Sequence, residues 1–175
     1  MPVTAFHLGP GIAAKAVLGR HVSLMVFAFS QVAMDVEPVA HVLRGDAVLH
    51  GFAHTYVGAA LVAALSIVAG RPVCQWLLQR WPPDPDSTFL SWLVGPTRIP
   101  WRAAIVGAVL GTYSHIFLDS IMHADMQPLA PFVETNTMLG AISTGSLHLV
   151  CLASGGLGVV ALALVFIFRR VARTG

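Results

Sequence analysis

The chain has 175 residues, 56% of them apolar and only 10% charged. Soluble domains carry roughly 25% charged residues, so a water-facing globular domain is all but excluded, and so is disorder, which needs a polar or strongly charged chain. A net charge of +2, with no Lys/Arg-rich patch among aromatics, speaks against nucleic acid. An integral membrane protein remains, one helical domain over residues 1–175, and its eight histidines nearly match its ten Lys plus Arg.

In chain order, the first segment is mostly apolar but holds Lys15, Arg20 and His21. A single span there buries two cations, which is costly. A helical hairpin avoids this: a short helix over 7–18, a turn at Gly19-Arg20-His21, and a second helix over 22–35. The first arm is too short to cross a bilayer upright, since about 20 helical residues are needed. Residues 51–70 form an uncharged run of 20 and predict a span. Residues 71–101 read as a loop, turn-rich at Arg80-Trp-Pro-Pro-Asp-Pro-Asp-Ser-Thr, with a short surface helix near Phe89–Val94. Further spans are expected over 102–120 and 147–168, joined by a long loop over 120–146 that can act as a lid. The expected class is therefore an all-α membrane protein, a short N-terminal hairpin plus three transmembrane helices. Cys74 and Cys151 fall near opposite ends of their helices, so two free thiols are expected.

Lys and Arg set the orientation. With the hairpin, nine of the ten fall on one face and Arg44 alone on the other. The nine-cation face is expected to be cytoplasmic in a cell inner membrane. All four tryptophans lie in or beside the connection on that side, as an interfacial belt does. The first ten residues contain no Lys or Arg, so no cleavable signal peptide is expected.

The opposite face receives seven of the eight histidines and six of the eight acids, with one arginine to answer them. Such an imbalance at a membrane boundary is expensive unless a cation is bound. Imidazole and carboxylate together are the ligand set for zinc and related divalent ions. His50 and His54 stand four apart at the expected start of one helix, and His115 and Asp119 four apart at the end of another. Each pair then shares a helix face. Asp35 and Glu37 flank one residue at the expected end of the hairpin's second arm. Gly107 and Gly111 precede His115 at four-residue steps, a small-residue face that lets a neighbouring helix come close. For His41 and His148 a packing role weighs as much as ligation, and for His21 it weighs more. Paired His can also hold haem, though haem usually draws its ligands from facing helices.

In this setting the chain resembles the inner-membrane metal-dependent hydrolases often called YdjM-like. The resembling pieces are Thr4-Ala-Phe-His7-Leu, Asp35-Val-Glu37-Pro, His50-Gly-Phe-Ala-His54-Thr, Ser114-His115-Ile-Phe-Leu-Asp119 and Pro128-Leu129, in that order. The family carries Asp where this chain has Glu37, and often Arg where it has Gly51. A weaker likeness, in ligand order alone, is to the zinc-dependent phospholipase C site. The resemblance implies a membrane hydrolase whose divalent ions, zinc foremost, are held by His7, Asp35, His54, His115 and Asp119. His50 and Glu37 complete or orient that set. A bound metal lowers the pKa of its water toward ~7, and Glu37 or Asp35 is the expected general base. Arg44 either grips a phosphate oxygen or pairs with Asp46, and His123 and His148 are candidate substrate contacts. The expected substrate is an amphiphilic lipid, a phosphoester first, its head at the metal and its chains in the bilayer. The alternative is a metal-binding or metal-transport protein without turnover.

Overall fold

A computed structural model describes residues 6–83 and 88–174. Among them the regular structure is helical throughout. Ser87 and the first residues of the opening Thr4-Ala-Phe-His7 piece fall outside the described residues.

The chain opens with α1 (Leu8–Leu18), which ends at Gly19 with φ +55° and a short 3-10 turn over Gly19–His21. Only glycine adopts that backbone freely, so the turn falls where the sequence places it. Lys15 is buried just before it, its Nζ donating to the Val22 carbonyl at 2.9 Å. At ~1.5 Å per residue α1 is about 16 Å long, too short to cross a hydrocarbon core.

The second arm, α2 (Leu24–Arg44), starts at Ser23, whose Oγ accepts the Val26 N–H at 3.3 Å, and ends at Gly45 with φ +75°. It runs well past the expected end near residue 35. Pro38 lies within it, so Asp35 and Glu37 are interior helix residues. At 21 residues α2 is itself long enough and apolar enough to cross a membrane.

Residues 46–51 are irregular, and a 3-10 turn covers Phe52–His54. Only then does α3 (Tyr56–Leu65) begin, capped by Thr55 Oγ1, which accepts the Gly58 N–H at 3.0 Å. A π turn over Ser66–Gly70 joins it to α4 (Arg71–Arg80). One apolar helix thus spans Tyr56–Arg80. The sequence expectation was offset here: the helix starts after His54 and takes in residues 71–80 of the expected loop. The short α5 (Thr88–Val94) precedes α6 (Trp101–Met122), and α7 (Thr144–Thr174) closes the chain.

Among the described residues, four helices (24–44, 56–80, 101–122 and 144–168) are long and apolar enough to span a bilayer, so the protein is a multi-pass helical membrane protein. Their outer faces agree, with Leu149, Leu152, Leu157, Leu164 and Ile167 of α7 all exposed. Without a hydrophobic drive between helices in lipid, packing depends on small residues. A side chain at Gly107 would meet the Ser23 carbonyl, and one at Gly111 the Ser30 side chain, so α6 lies directly on α2. Gly9, Gly155 and Gly158 bring α1 against α7 in the same way. Cys74 and Cys151 are free and buried.

The alternation of helices sorts the ends. Residue 7, the end of α2, the start of α3, the end of α6 and the start of α7 share one end of the bundle. The 19–21 turn, the end of α4, the start of α6 and the end of α7 share the other. There Arg71 stacks on Trp101, 3.9 Å from the ring centre, and donates to the Ile99 carbonyl at 2.9 Å.

Candidate metal centre

Five segments deliver side chains to the first end. His7 stands at the start of α1, Asp35 on α2, His50 in the irregular stretch, His54 in the 3-10 turn, and His115 with Asp119 on α6. His115 and Asp119 meet as their i, i+4 spacing predicts, Nε2 to Oδ2 at 3.1 Å. His50 and His54 do not share a helix face, because no helix has begun there. The 3-10 turn brings them together instead, with ring centres 4.8 Å apart.

Asp119 is completely buried and sits at the centre. Its Oδ1 is 3.4 Å from His7 Nε2, and its Oδ2 is 4.0 Å from His54 Nε2. Asp35 Oδ1 lies 3.5 Å from His115 Nε2. Three sets of donor atoms lie within 4.8 Å of one another here: His7, His115 and Asp119; Asp35, His54 and His115; His50, His54 and Asp119.

The far sides of the imidazoles fix their protons. His115 Nδ1 is 2.6 Å from Gln31 Oε1, and the Gln31 amide is oriented by its own Nε2–H donating to the Gly111 carbonyl at 3.0 Å. His54 Nδ1 is 3.1 Å from Glu37 Oε2. His50 Nδ1 is 2.9 Å from Asp125 Oδ1. Each acceptor draws the ring proton to Nδ1, and a neutral imidazole has only one. The Nε2 lone pairs therefore face the cluster. His50, His54 and His115 Nε2 and both Asp119 oxygens are buried without a hydrogen-bond partner. Lone pairs aimed at a buried carboxylate repel it, and orphaned buried polar atoms are expensive. A divalent cation held by one of these sets answers several of these atoms at once. Zn–N and Zn–O bonds of ~2.0–2.2 Å place neighbouring ligand atoms about 3.3 Å apart, comparable to the 3.1 to 4.0 Å separations seen here. The donor set and its orphaned atoms thus fit a divalent metal ion.

Glu37 is not turned toward this point. Its Oε2 accepts the Gly51 N–H and its Oε1 the Ala53 N–H, each at 3.1 Å. It clasps the 3-10 turn and holds His54 from behind, the arrangement in which an outer carboxylate orients a metal-binding histidine. A side chain at residue 51 would collide with the Glu37 carboxylate, so Gly51 is what lets this clasp close.

Gln31 and Asp125, absent from the expected site, play the same orienting part for His115 and His50. Asp125 Oδ2 also accepts the Leu49 and His50 N–H groups at 2.9 and 3.1 Å. Partial burial acts to raise its pKa, but these donors outweigh that and hold it at about 2. His123 lies against His50, ring centres 4.4 Å apart, with its Nε2 buried and unpartnered. Burial lowers its pKa, against the pull of Asp119.

Other expected contacts fall elsewhere. Asp46 pairs with His41 at 2.6 Å rather than with Arg44, and Arg44 is exposed. His148 stacks on Phe6, ring centres 4.4 Å apart, and belongs to none of the donor sets. Two openings adjoin the cluster. One, roughly 690 Å³, lies between residues 48–55 and the 124–139 loop and is lined by His50, Asp125 and Glu134 among others. The other, roughly 360 Å³, runs along α2 past Val32, Val36, Val39 and Leu43, with Asp35 as its one acidic lining residue.

No family model matches the chain, and no curated protein or solved structure does.

Proposed function

We propose that this protein is a membrane-bound, metal-dependent hydrolase of the YdjM-like kind, acting on an amphiphilic lipid-like substrate, foremost a lipid phosphoester. The reading is carried by the buried, unpartnered nitrogens and oxygens that converge on Asp119. Groups so arranged fit a divalent ion, and the nitrogen-rich set favours zinc. When bound, such an ion supplies Lewis acidity and makes a water more acidic.

The chain's own residues would divide the remaining work. His7, His54, His115 and Asp119 hold the ion, and Glu37 and Gln31 keep two of those imidazoles aimed. Glu37 is turned away from the cluster toward three N–H donors, whereas Asp35, with Oδ1 3.5 Å from His115 Nε2, stands at the cluster and would accept the proton. It is about one-fifth exposed and opens onto the apolar groove of α2. The attacking water would give its proton to Asp35 while its oxygen bonds to phosphorus. The P–O bond to the leaving alcohol breaks, and Asp35 returns the proton to that alkoxide. The groove's valines and Leu43 suit a hydrocarbon chain, which keeps the ester at the level of Asp35.

We place the site on the extracytoplasmic side of a bacterial-type inner membrane, because Lys and Arg gather at the other end of the bundle. A transport role asks for a polar path onward through the bundle. The buried hydroxyls of Ser30, Ser66 and Thr112 instead each donate to a carbonyl of their own helix.

The test is hydrolysis of phosphatidyl and polyprenyl phosphoesters by purified protein in lipid nanodiscs, with and without a chelator. Release of a phosphorylated or alcohol product, abolished by chelation and by Asp35→Asn, is expected. Bound metal with no cleavage of phosphoester, acyl ester or amide would leave a metal-binding protein without turnover.

A further inference from the structure

The other end of the bundle holds cations that the metal centre does not use. Lys15 is only 4% exposed. An ammonium carries three N–H donors, and one of these goes to the Val22 carbonyl at 2.9 Å. Gly95, at the end of α5, turns the chain past it with φ +90°, and a Cβ there would lie 3.8 Å from Lys15 Nζ. Only glycine takes that backbone conformation freely, so the loop closes over the ammonium. A buried cation with so few partners is expensive unless an anion answers it.

No ion pair among the described residues includes Lys15, Arg20 or His21. All three line one cavity of roughly 900 Å³, between the hairpin turn, the 91–97 stretch and α7. Among the described residues that line it there is no Asp or Glu. Its charge is therefore the reverse of that of the cavity beside the metal centre, which Asp125 and Glu134 line.

One side of the same cavity is apolar. Val17, Leu18 and Val165 line it and are 83%, 40% and 36% exposed. In a membrane such side chains face lipid. The cavity thus offers cations to a negative head and a hydrocarbon surface to whatever that head carries.

We infer that this cavity binds the phosphate head of an anionic glycerophospholipid. The phosphate oxygens sit on Lys15 Nζ and the Arg20 guanidinium, and the acyl chains run along Val17, Leu18 and Val165. Charge-assisted bonds to phosphate are strong for both cations, and basic pockets between transmembrane helices hold acidic lipid heads in this way. A soluble phosphate ester would meet the same cations but leave the apolar side uncovered. The site stands independently of the metal centre.

The experiment is native mass spectrometry of full-length protein released from detergent micelles that contain equal amounts of phosphatidylglycerol and phosphatidylcholine of the same chains. One phosphatidylglycerol is expected to stay bound in preference to phosphatidylcholine. Arg20→Gln is expected to lower its affinity about 5-fold, and Lys15→Gln by as much or more. Arg102→Gln, exposed at the same end of the bundle but outside the cavity, should leave it unchanged. Excess glycerophosphate should not displace the lipid. Because Arg20 is exposed, its variant decides the matter even where Lys15→Gln fails to fold. Equal retention of the two lipids, or equal losses in Arg20→Gln and Arg102→Gln, would overturn the site. Displacement by glycerophosphate would make it a site for soluble anions and overturn the lipid assignment.

Discussion

Glu37 Oε2 lies 3.1 Å from His54 Nδ1, behind the imidazole, while the opposite edge of the ring faces Asp119. One carboxylate thus positions the ring and another stands where a cation would join them. Glu37→Gln keeps an oxygen for one backbone N–H but loses the charge that fixes the ring proton on Nδ1. Loss of such an outer partner typically weakens a metal by 10- to 100-fold. That range is expected for zinc affinity in Glu37→Gln, measured by competition with a chromophoric chelator, with helicity by circular dichroism unchanged.

Gln31 holds His115 in the same manner, from within an apolar stretch of α2. Gln31→Leu is similar in volume and removes the acceptor. It also leaves the Gly111 carbonyl without its Gln31 donor. Metal affinity is expected to fall by about 10-fold or more, whereas Gln31→Glu, which retains an acceptor, should recover most of it. Equal affinity in all three chains would remove Gln31 from the site.

Gly111 is where α6 touches α2, and a Cβ there meets the Ser30 side chain and comes within 3.0 Å of the Phe27 carbonyl. Gly111→Val must push the helices apart one turn below His115. Overpacking of this kind costs typically about 1–3 kcal/mol. A lower thermal unfolding midpoint in detergent, with zinc released at lower temperature than in the native protein, is the expected result.

Orientation can be read by labelling. Both native cysteines are buried, so background reaction with a membrane-impermeant maleimide should be low. Asp46 and Arg20 are exposed and stand at opposite ends of the bundle. In intact cells or right-side-out vesicles Asp46→Cys is expected to label and Arg20→Cys to label only after permeabilisation. The reverse pattern would put the metal centre on the cytoplasmic side.

Much of the architecture was legible because it follows from length and hydropathy. Uncharged runs over 51–70 and 147–168 marked spans, and Gly19 marked the hairpin. Within the site, His115 and Asp119 were placed correctly for the right reason, since both lie on one face of α6. His50 and His54 met for a different reason than their spacing suggested: Thr55, a side-chain cap, starts the helix one residue after His54. Asp35-Val-Glu37-Pro read as a helix end, yet α2 continues through Pro38 to Arg44. That continuation turns Asp35 toward His115 and Glu37 toward the 50–54 segment. Gln31, uncharged and surrounded by apolar residues, gave no ligand signal. Asp125, in His123-Ala-Asp125, sat in a stretch read as a lid.

The most direct test of the metal centre is zinc K-edge X-ray absorption on protein purified without chelators. The spectrum is expected to show a nitrogen and oxygen shell at ~2.0–2.2 Å, with the outer scattering of imidazole rings, and to vanish from Asp119→Asn and His115→Ala. No zinc or other divalent ion above background in the native protein, or a sulfur shell at ~2.3 Å, would contradict it.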